Sequence, residues 1–160
     1  DAKRMQPSFH SCDLVDFVNQ IVESFRPYCE RKNISVNTQT APCLQVYIDA
    51  EKMDKVVYNL LSNAIKYSPE KSSILIQLKR EGDLLKLAVQ DKGMGIPEAE
   101  QEQLFNRFFR AKNAVNIPGT GLGLHIVKHY VELMGGIISF HSELNEGSTF
   151  RLRLPRTLNP

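Results

Sequence analysis

Apolar and polar residues follow two different periods along this chain, and the switches between them mark its elements. From Asp13 to about Asn33, Leu14, Val18, Ile21, Val22, Phe25 and Cys29 recur at helical spacing. Pro27 lies inside that run and predicts a kink or an interruption, because proline lacks the N–H and its ring meets the preceding turn. Ile34 to Thr40 alternates as a half-buried strand does, and Leu44 to Ile48 reads as a second short strand. Asp49 predicts a helix N-cap. After it Met53, Val56, Val57, Leu60, Leu61, Ala64 and Ile65 form a strong helical stripe, which Pro69 stops.

Two alternating segments follow, Ile74-Ile76-Leu78 and Leu85-Leu87-Val89, joined by a polar turn at Gly82-Asp83. A glycine turn, DKGMGIP, precedes a short helix from Glu98 to Leu104. The segment from about Arg110 to Thr120 has no clear period. A helix from Leu122 to Met134 closes at Gly135-Gly136, and Ile137 to Ser142 with Ser148 to Leu154 form a hairpin. The elements predict an α+β fold, a two-layer sandwich in which helices pack on one face of a mixed, mainly antiparallel β-sheet.

Composition narrows the class. The length of 160 residues fits one domain, and 20 basic against 18 acidic side chains leave a net charge of +2. That field is too weak for binding nucleic acid by bulk electrostatics. No apolar run approaches the roughly 20 residues that cross a bilayer. Cys12, Cys29 and Cys43 are odd in number and widely spaced, which reads as free thiols in a reducing compartment. The opening DAKRMQPSF carries neither an initiator methionine nor a signal peptide and reads as cut from a longer chain. Residues 1–6 are then a linker remnant, 7–156 the domain and 157–160 a tail.

Five stretches carry chemistry. In NLLSNAIKY, Asn59, Asn63, Lys66 and Tyr67 fall within roughly one 100° sector of a helix, beside the apolar stripe. Carboxamide oxygens ligate hard cations, an ammonium meets phosphate, and a phenol lies against a flat base. In DKGMGI, Asp91 continues the inward alternation of Leu85, Leu87 and Val89. A buried carboxylate needs a donor, either a neighbouring Arg or Lys or a ligand amino group. Gly93 and Gly95 after it permit positive φ and close approach of a ligand. In PGTGLGL, Gly119, Gly121 and Gly123 lead into a helix whose N-terminal N–H groups suit phosphate, although no Walker lysine follows. In FNRFFR, Phe105, Phe108 and Phe109 read as packing anchors, and Arg107 and Arg110 stand where a loop begins. In EGSTF, Ser148 points inward at a strand's start, where its hydroxyl can bond a ligand directly or through water, and Thr149 points outward. His125 and His129 have zinc-ligand spacing but no HExxH context, and read as ordinary helix residues.

In this order and spacing the five stretches resemble the ATP-binding catalytic domain of sensor histidine kinases, a branch of the ATPase superfamily shared with gyrase, the Hsp90 chaperones and the MutL repair proteins. The resemblance covers about Phe9 to Pro155. It implies that Asn63, with Asn59 nearby, holds Mg²⁺ against the phosphates of ATP. Lys66 would contact phosphate, Tyr67 would stack on adenine and Asp91 would accept the adenine amino group. Gly93, Gly95 and Ile96 would line the nucleotide. A lid of about Ala111 to Thr120 would close over the phosphates, Gly119, Gly121 and Gly123 letting it do so, and Thr120 and Leu122 would bind the nucleotide beside them. Arg110, and Arg107 beside it, would stabilise charge on the γ-phosphate, so the resemblance gives the catalytic set as Asn63, Lys66 and Arg110. Ser148 stands where the family more often has Thr, and Asn145 where a glycine box often begins with Gly.

The family's phospho-accepting histidine lies in a separate two-helix dimerisation segment, within an H-[ED]-x-x-[TNR]-P-type string. None of His10, His125, His129 or His141 is followed by such a string. The resemblance therefore implies a domain that binds Mg-ATP and does not phosphorylate itself appreciably. The implied partners are the histidine phosphotransfer domain of the same parent and, downstream, the receiver domain of a response regulator. The parent is expected to be a membrane-anchored homodimer with this domain in the cytoplasm, a monomer on its own. Two other readings stay open at this point, an anti-sigma-type serine kinase and a nucleotide-sensing module without turnover.

Overall fold

The computed structural model describes residues 8–111 and 123–155. The expected linker at 1–6, nearly all of the expected lid and the tail at 157–160 lie outside them. The apolar run after Asp13 folds as two helices, α1 (Leu14–Ser24) and α2 (Arg26–Lys32), that meet at Phe25. Pro27 sits in the first turn of α2, where a missing N–H costs nothing. The chain continues through β2 (Ser35–Thr40), β3 (Gln45–Ile48), α3 (Ala50–Tyr67), β4 (Ser73–Glu81) and β5 (Leu84–Asp91). After a 3₁₀ turn at Glu98–Gln103 come α4 (Gly123–Leu133), β6 (Ile137–Glu143) and β7 (Gly147–Pro155). That 3₁₀ turn replaces the short helix expected there; it buries none of its six residues and so has no apolar face to propagate a helix.

Five strands form one sheet in the order β2-β4-β5-β7-β6. β2 runs parallel to β4, and the other pairs are antiparallel. A strand the alternation did not announce, β1 (His10–Asp13), pairs with β3 outside the main sheet. Its four residues, HSCD, contain too few apolar positions to alternate.

Helices cover one face of the main sheet, and one core lies between the layers. Ile74, Ile76, Leu78, Leu85, Leu87, Val89, Leu152 and Leu154 supply it from the strands, at 2% exposure or less. Leu14, Val18, Met53, Val56, Val57, Leu61, Val127 and Val131 supply it from the helices and are fully buried. Each such side chain contributes about 1.5–3 kcal/mol.

Helix α3 is fixed at both ends. At its start Asp49, 2% exposed, accepts the Lys52 N–H at 3.2 Å and the Ser8 N–H at 2.7 Å, and its Oδ2 lies 3.3 Å from Lys52 Nζ. Burial alone would push the Asp49 carboxyl up; the Ser8 and Lys52 N–H groups and the Lys52 ammonium outweigh it and hold it below the usual carboxylate value. At its end Lys32 Nζ of α2 donates to the carbonyls of Ile65 (2.7 Å) and Lys66 (3.2 Å), and Ser68 Oγ donates to the Ala64 carbonyl at 2.6 Å. The Met94 N–H reaches the Tyr67 carbonyl at 3.3 Å, so the end of α3 is tied to the turn after β5.

Candidate functional site

The apolar stripe of α3 turns one flank of that helix toward a cleft. Asn59, Asn63, Lys66 and Tyr67 line it, as their shared sector predicts. The opposite wall is Asp91, Gly95, Ile96 and Ser148, and the rim carries Arg110 and Gly123. Leu60 and Ala64, on the buried side of the same helix, form part of the floor with Val89 and Phe150. Asn59 Nδ2 donates to the Lys55 carbonyl at 2.7 Å. Its oxygen is thereby left facing Gly123, where a β-carbon would stand 3.1 Å from it.

Asp91 ends β5 on the same face as Leu85, Leu87 and Val89 and is half-buried. Its Oδ1 accepts the N–H of Gly93 at 2.9 Å and that of Ser148 at 3.2 Å. Burial pushes the carboxyl above the usual value, and the two N–H groups offset only part of that. The structure thus supplies backbone donors where the sequence called for an Arg, a Lys or a ligand amine. Both bonds fall on Oδ1; Oδ2 takes none among the described residues and is left for a donor in the cleft.

The glycines have structural duties of their own. A β-carbon at Gly93 would run into the Tyr67 carbonyl, and one at Gly95 into the Glu143 carbonyl. The close approach at both positions is therefore made by protein backbone. Gly95 also needs its φ of 70°. Gly147, absent from the sequence-derived set, adopts a φ of 127°, and a β-carbon there would meet the Asp91 carbonyl. Asn145 has a φ of 65°, a left-handed conformation that asparagine tolerates better than most residues.

The phenylalanine segment divides. Phe105 packs edge-on against Phe140 and Phe150, with centroids 5.7 and 6.4 Å away, and Phe109 lines the cleft. Phe108 does not anchor anything: it is 64% exposed, and a φ of 65° swings it outward. Arg107 is exposed, its guanidinium 5.3 Å from the Phe108 ring centroid, and does not line the cleft. Gly119, Thr120, Gly121 and Leu122 lie outside the described residues. Ser148 is buried as alternation predicts, but its hydroxyl pairs with that of Ser142 at 2.8 Å. Ser142 was missed; the signal that finds it is its parity with Ile138 and Phe140 on β6.

Residues 48–158 match the family described as "Histidine kinase-, DNA gyrase B-, and HSP90-like ATPase". The chain belongs to this ATPase family. Within it, the relatives of this domain include sensor histidine kinases. The alginate biosynthesis sensor protein KinB of Pseudomonas aeruginosa is 35% identical over 146 residues, which are 91% of this chain and 24% of KinB. The sensor-like histidine kinase SenX3 of Mycolicibacterium smegmatis is 35% identical over 156 residues, 96% of this chain and 41% of SenX3. The chain thus spans less than half the length of these curated relatives. The solved structure of the mycobacterial sensor histidine kinase MprB superposes with a TM-score of 0.80 at 29% identity, covering 92% of this chain and 97% of that one. Among the described residues of the ATPase domain, no helix is long and apolar enough to cross a membrane.

Proposed function

We infer that the cleft binds ATP with Mg²⁺ and presents the γ-phosphate to a histidine on a dimerisation segment of the parent protein, for onward transfer to an aspartate of a response regulator. The observation that carries this is the convergence of the Asp91 carboxylate and the Asn59–Asn63–Lys66 flank on one cleft. Asp91 Oδ2 accepts the adenine amino group, and Tyr67 lies against the ring. Asn59 and Asn63 present neutral oxygens, the hard donors that Mg²⁺ takes. The Asn59 amide, held through its nitrogen by the Lys55 carbonyl, has its oxygen available for that purpose. Bound there, Mg²⁺ neutralises phosphate charge. Lys66 and Arg110 add positive charge on the phosphate side, while Arg107 stands apart from the cleft.

Phosphoryl transfer depends on positioning and charge stabilisation, so the acceptor must be brought into line. No histidine of this chain carries the acceptor string, and the acceptor comes from outside it. This reading makes the domain the transferase portion of a two-component sensor, on the cytoplasmic side of a membrane-anchored homodimer and monomeric by itself.

Calorimetric titration with ATP, with and without Mg²⁺, tests the assignment. Asp91→Asn is expected to weaken ATP about tenfold to a hundredfold, the worth of one hydrogen bond to a charged group. In Asn63→Ala, Mg²⁺ is expected to add nothing to ATP affinity. Unchanged behaviour in both variants overturns the site. Incubation with γ-labelled ATP tests the external acceptor: rapid acid-labile label on this chain contradicts it.

A further inference from the structure

The face of the sheet turned away from the helices carries a groove of its own, apart from the cleft. Its outward positions fall in two rows. Gln39, Gln77, Ala88 and Arg151 are in register across β2, β4, β5 and β7. Two residues along, Lys79, Lys86 and Arg153 are in register across β4, β5 and β7. These side chains line a groove of about 620 Å³. Three strand spacings make it about 14 Å long. At the β2 end Gln77 Nε2 donates to Gln39 Oε1 at 2.9 Å, so that end is neutral. Ala88, the smallest of the row, leaves the floor low.

Like charges directly opposite one another destabilise a sheet. Lys79, Lys86 and Arg153 nevertheless stand in one such row, and Arg151 is their neighbour on β7. Cations often guard an edge strand against unwanted pairing. β4, β5 and β7 are interior strands, so that duty does not explain the row. One carboxylate reaches the cluster: Glu81 Oε2 lies 2.5 Å from Lys86 Nζ. The hydrogen bond to Lys86, and then the charges of Lys86, Lys79 and Arg153, hold the Glu81 carboxyl below its usual value, which registers the sign of the local field. Among the described residues Lys79, Arg151 and Arg153 form no salt bridge, and the groove keeps an excess of positive charge.

Charge calls for an anion, and shape selects among anions. A bilayer is flat, and the leucines of the groove, Leu78, Leu87 and Leu152, are core residues at 2% exposure or less with nothing to insert into it. No aromatic side chain lines the groove to stack a nucleic-acid base. An extended polypeptide, in contrast, spans about 14 Å with four residues. We propose that this groove docks a short acidic segment of a partner protein, its carboxylates on Lys79, Lys86, Arg151 and Arg153 and its neutral end over Gln39 and Gln77. The seat lies on the opposite face of the sheet from Asp91 and Ser148, so it does not depend on the nucleotide reading of the cleft.

The experiment is fluorescence anisotropy of the 160-residue chain with a fluorescein-labelled octapeptide that holds four consecutive glutamates, beside the same peptide with glutamines. The glutamate peptide is expected to bind saturably, about tenfold or more tighter than its glutamine counterpart, and to weaken with added salt. Arg153→Glu is expected to weaken it about fivefold to tenfold. Arg31→Glu makes the same change in net charge on the exposed side of α2 and should stay within about twofold of wild type. Ala88→Leu leaves every charge in place and raises the floor, and it should weaken the peptide about fivefold. ATP affinity should not change in any of the three variants. Equal losses in Arg153→Glu and Arg31→Glu overturn the proposal, since bulk charge then accounts for the binding. Undiminished binding by Ala88→Leu overturns it by placing the peptide outside the groove. Absence of glutamate-peptide binding overturns it outright, as does displacement of the peptide by phosphatidylserine vesicles that Arg153→Glu no longer binds, which assigns the face to a membrane.

Discussion

At the scale of single residues, Asp91 shows what parity in a sequence discloses and what it leaves out. Its inward direction follows from Leu85, Leu87 and Val89, and so did the demand for a donor. The donors themselves, N–H groups of Gly93 and of a strand 57 residues away, depend on strand order and could not be read locally. Because folding raises the Asp91 pKa, the fold is helped by its protonation and that help is lost as pH rises through the folded value. At neutral pH the ionised group therefore costs stability. Asp91→Asn is expected to raise the Tm at pH 7 while it weakens ATP, as differential scanning calorimetry beside the titration will show. ATP affinity of the wild-type chain should fall on acidification at a pH above that of an ordinary aspartate. Phe108 gives the opposite lesson: in a short turn there is no period to reveal a face, and one positive φ sends an apolar ring into solvent.

At the scale of elements, α3 was legible nearly to the residue. Its cap, its buried stripe, its polar flank and its stop at Pro69 are all local features. Its fastening to Ser8 and Lys32 is not, because both contacts join distant parts of the chain. Folding depresses the Asp49 pKa, so Asp49 contributes stability above the unfolded value that is lost as pH falls through the folded one. Asp49→Ala is expected to cost about 2 kcal/mol at pH 7, since it removes a helix cap and the buried ion pair with Lys52. The difference from wild type should shrink in urea melts at acid pH. Among the turns, Gly147→Ala combines positive φ with a collision against the Asp91 carbonyl. It should lower the Tm and weaken ATP together, whereas Gly82→Ala, where a β-carbon meets nothing, should lower stability by about 1 kcal/mol and leave ATP binding alone.

For the whole molecule, the two-layer α+β class followed from the alternation alone, and the strand order did not. Hydrophobic periods say which face of a strand is buried, not which strand lies beside it. That is why the pairing of β1 with β3 outside the main sheet, and the contact of Ser142 with Ser148 across β6 and β7, depend on the assembled fold. The core between the layers is one continuous cluster. Leu61→Ala, at 0% exposure, is expected to cost about 2–5 kcal/mol. The Tm should fall by roughly 2–4 °C for each kcal/mol lost, at about this chain length. β7, the last of the described strands in chain order, inserts between two strands completed before it. On a ribosome, β6 would emerge without a neighbour and Asp91 without its Ser148 amide, and both would wait for the final nine-residue strand. The corner of the cleft around Asp91 is thus the last of the described structure to be assembled, and a nascent chain stopped at Glu146 would hold the described helices and an unfinished cleft.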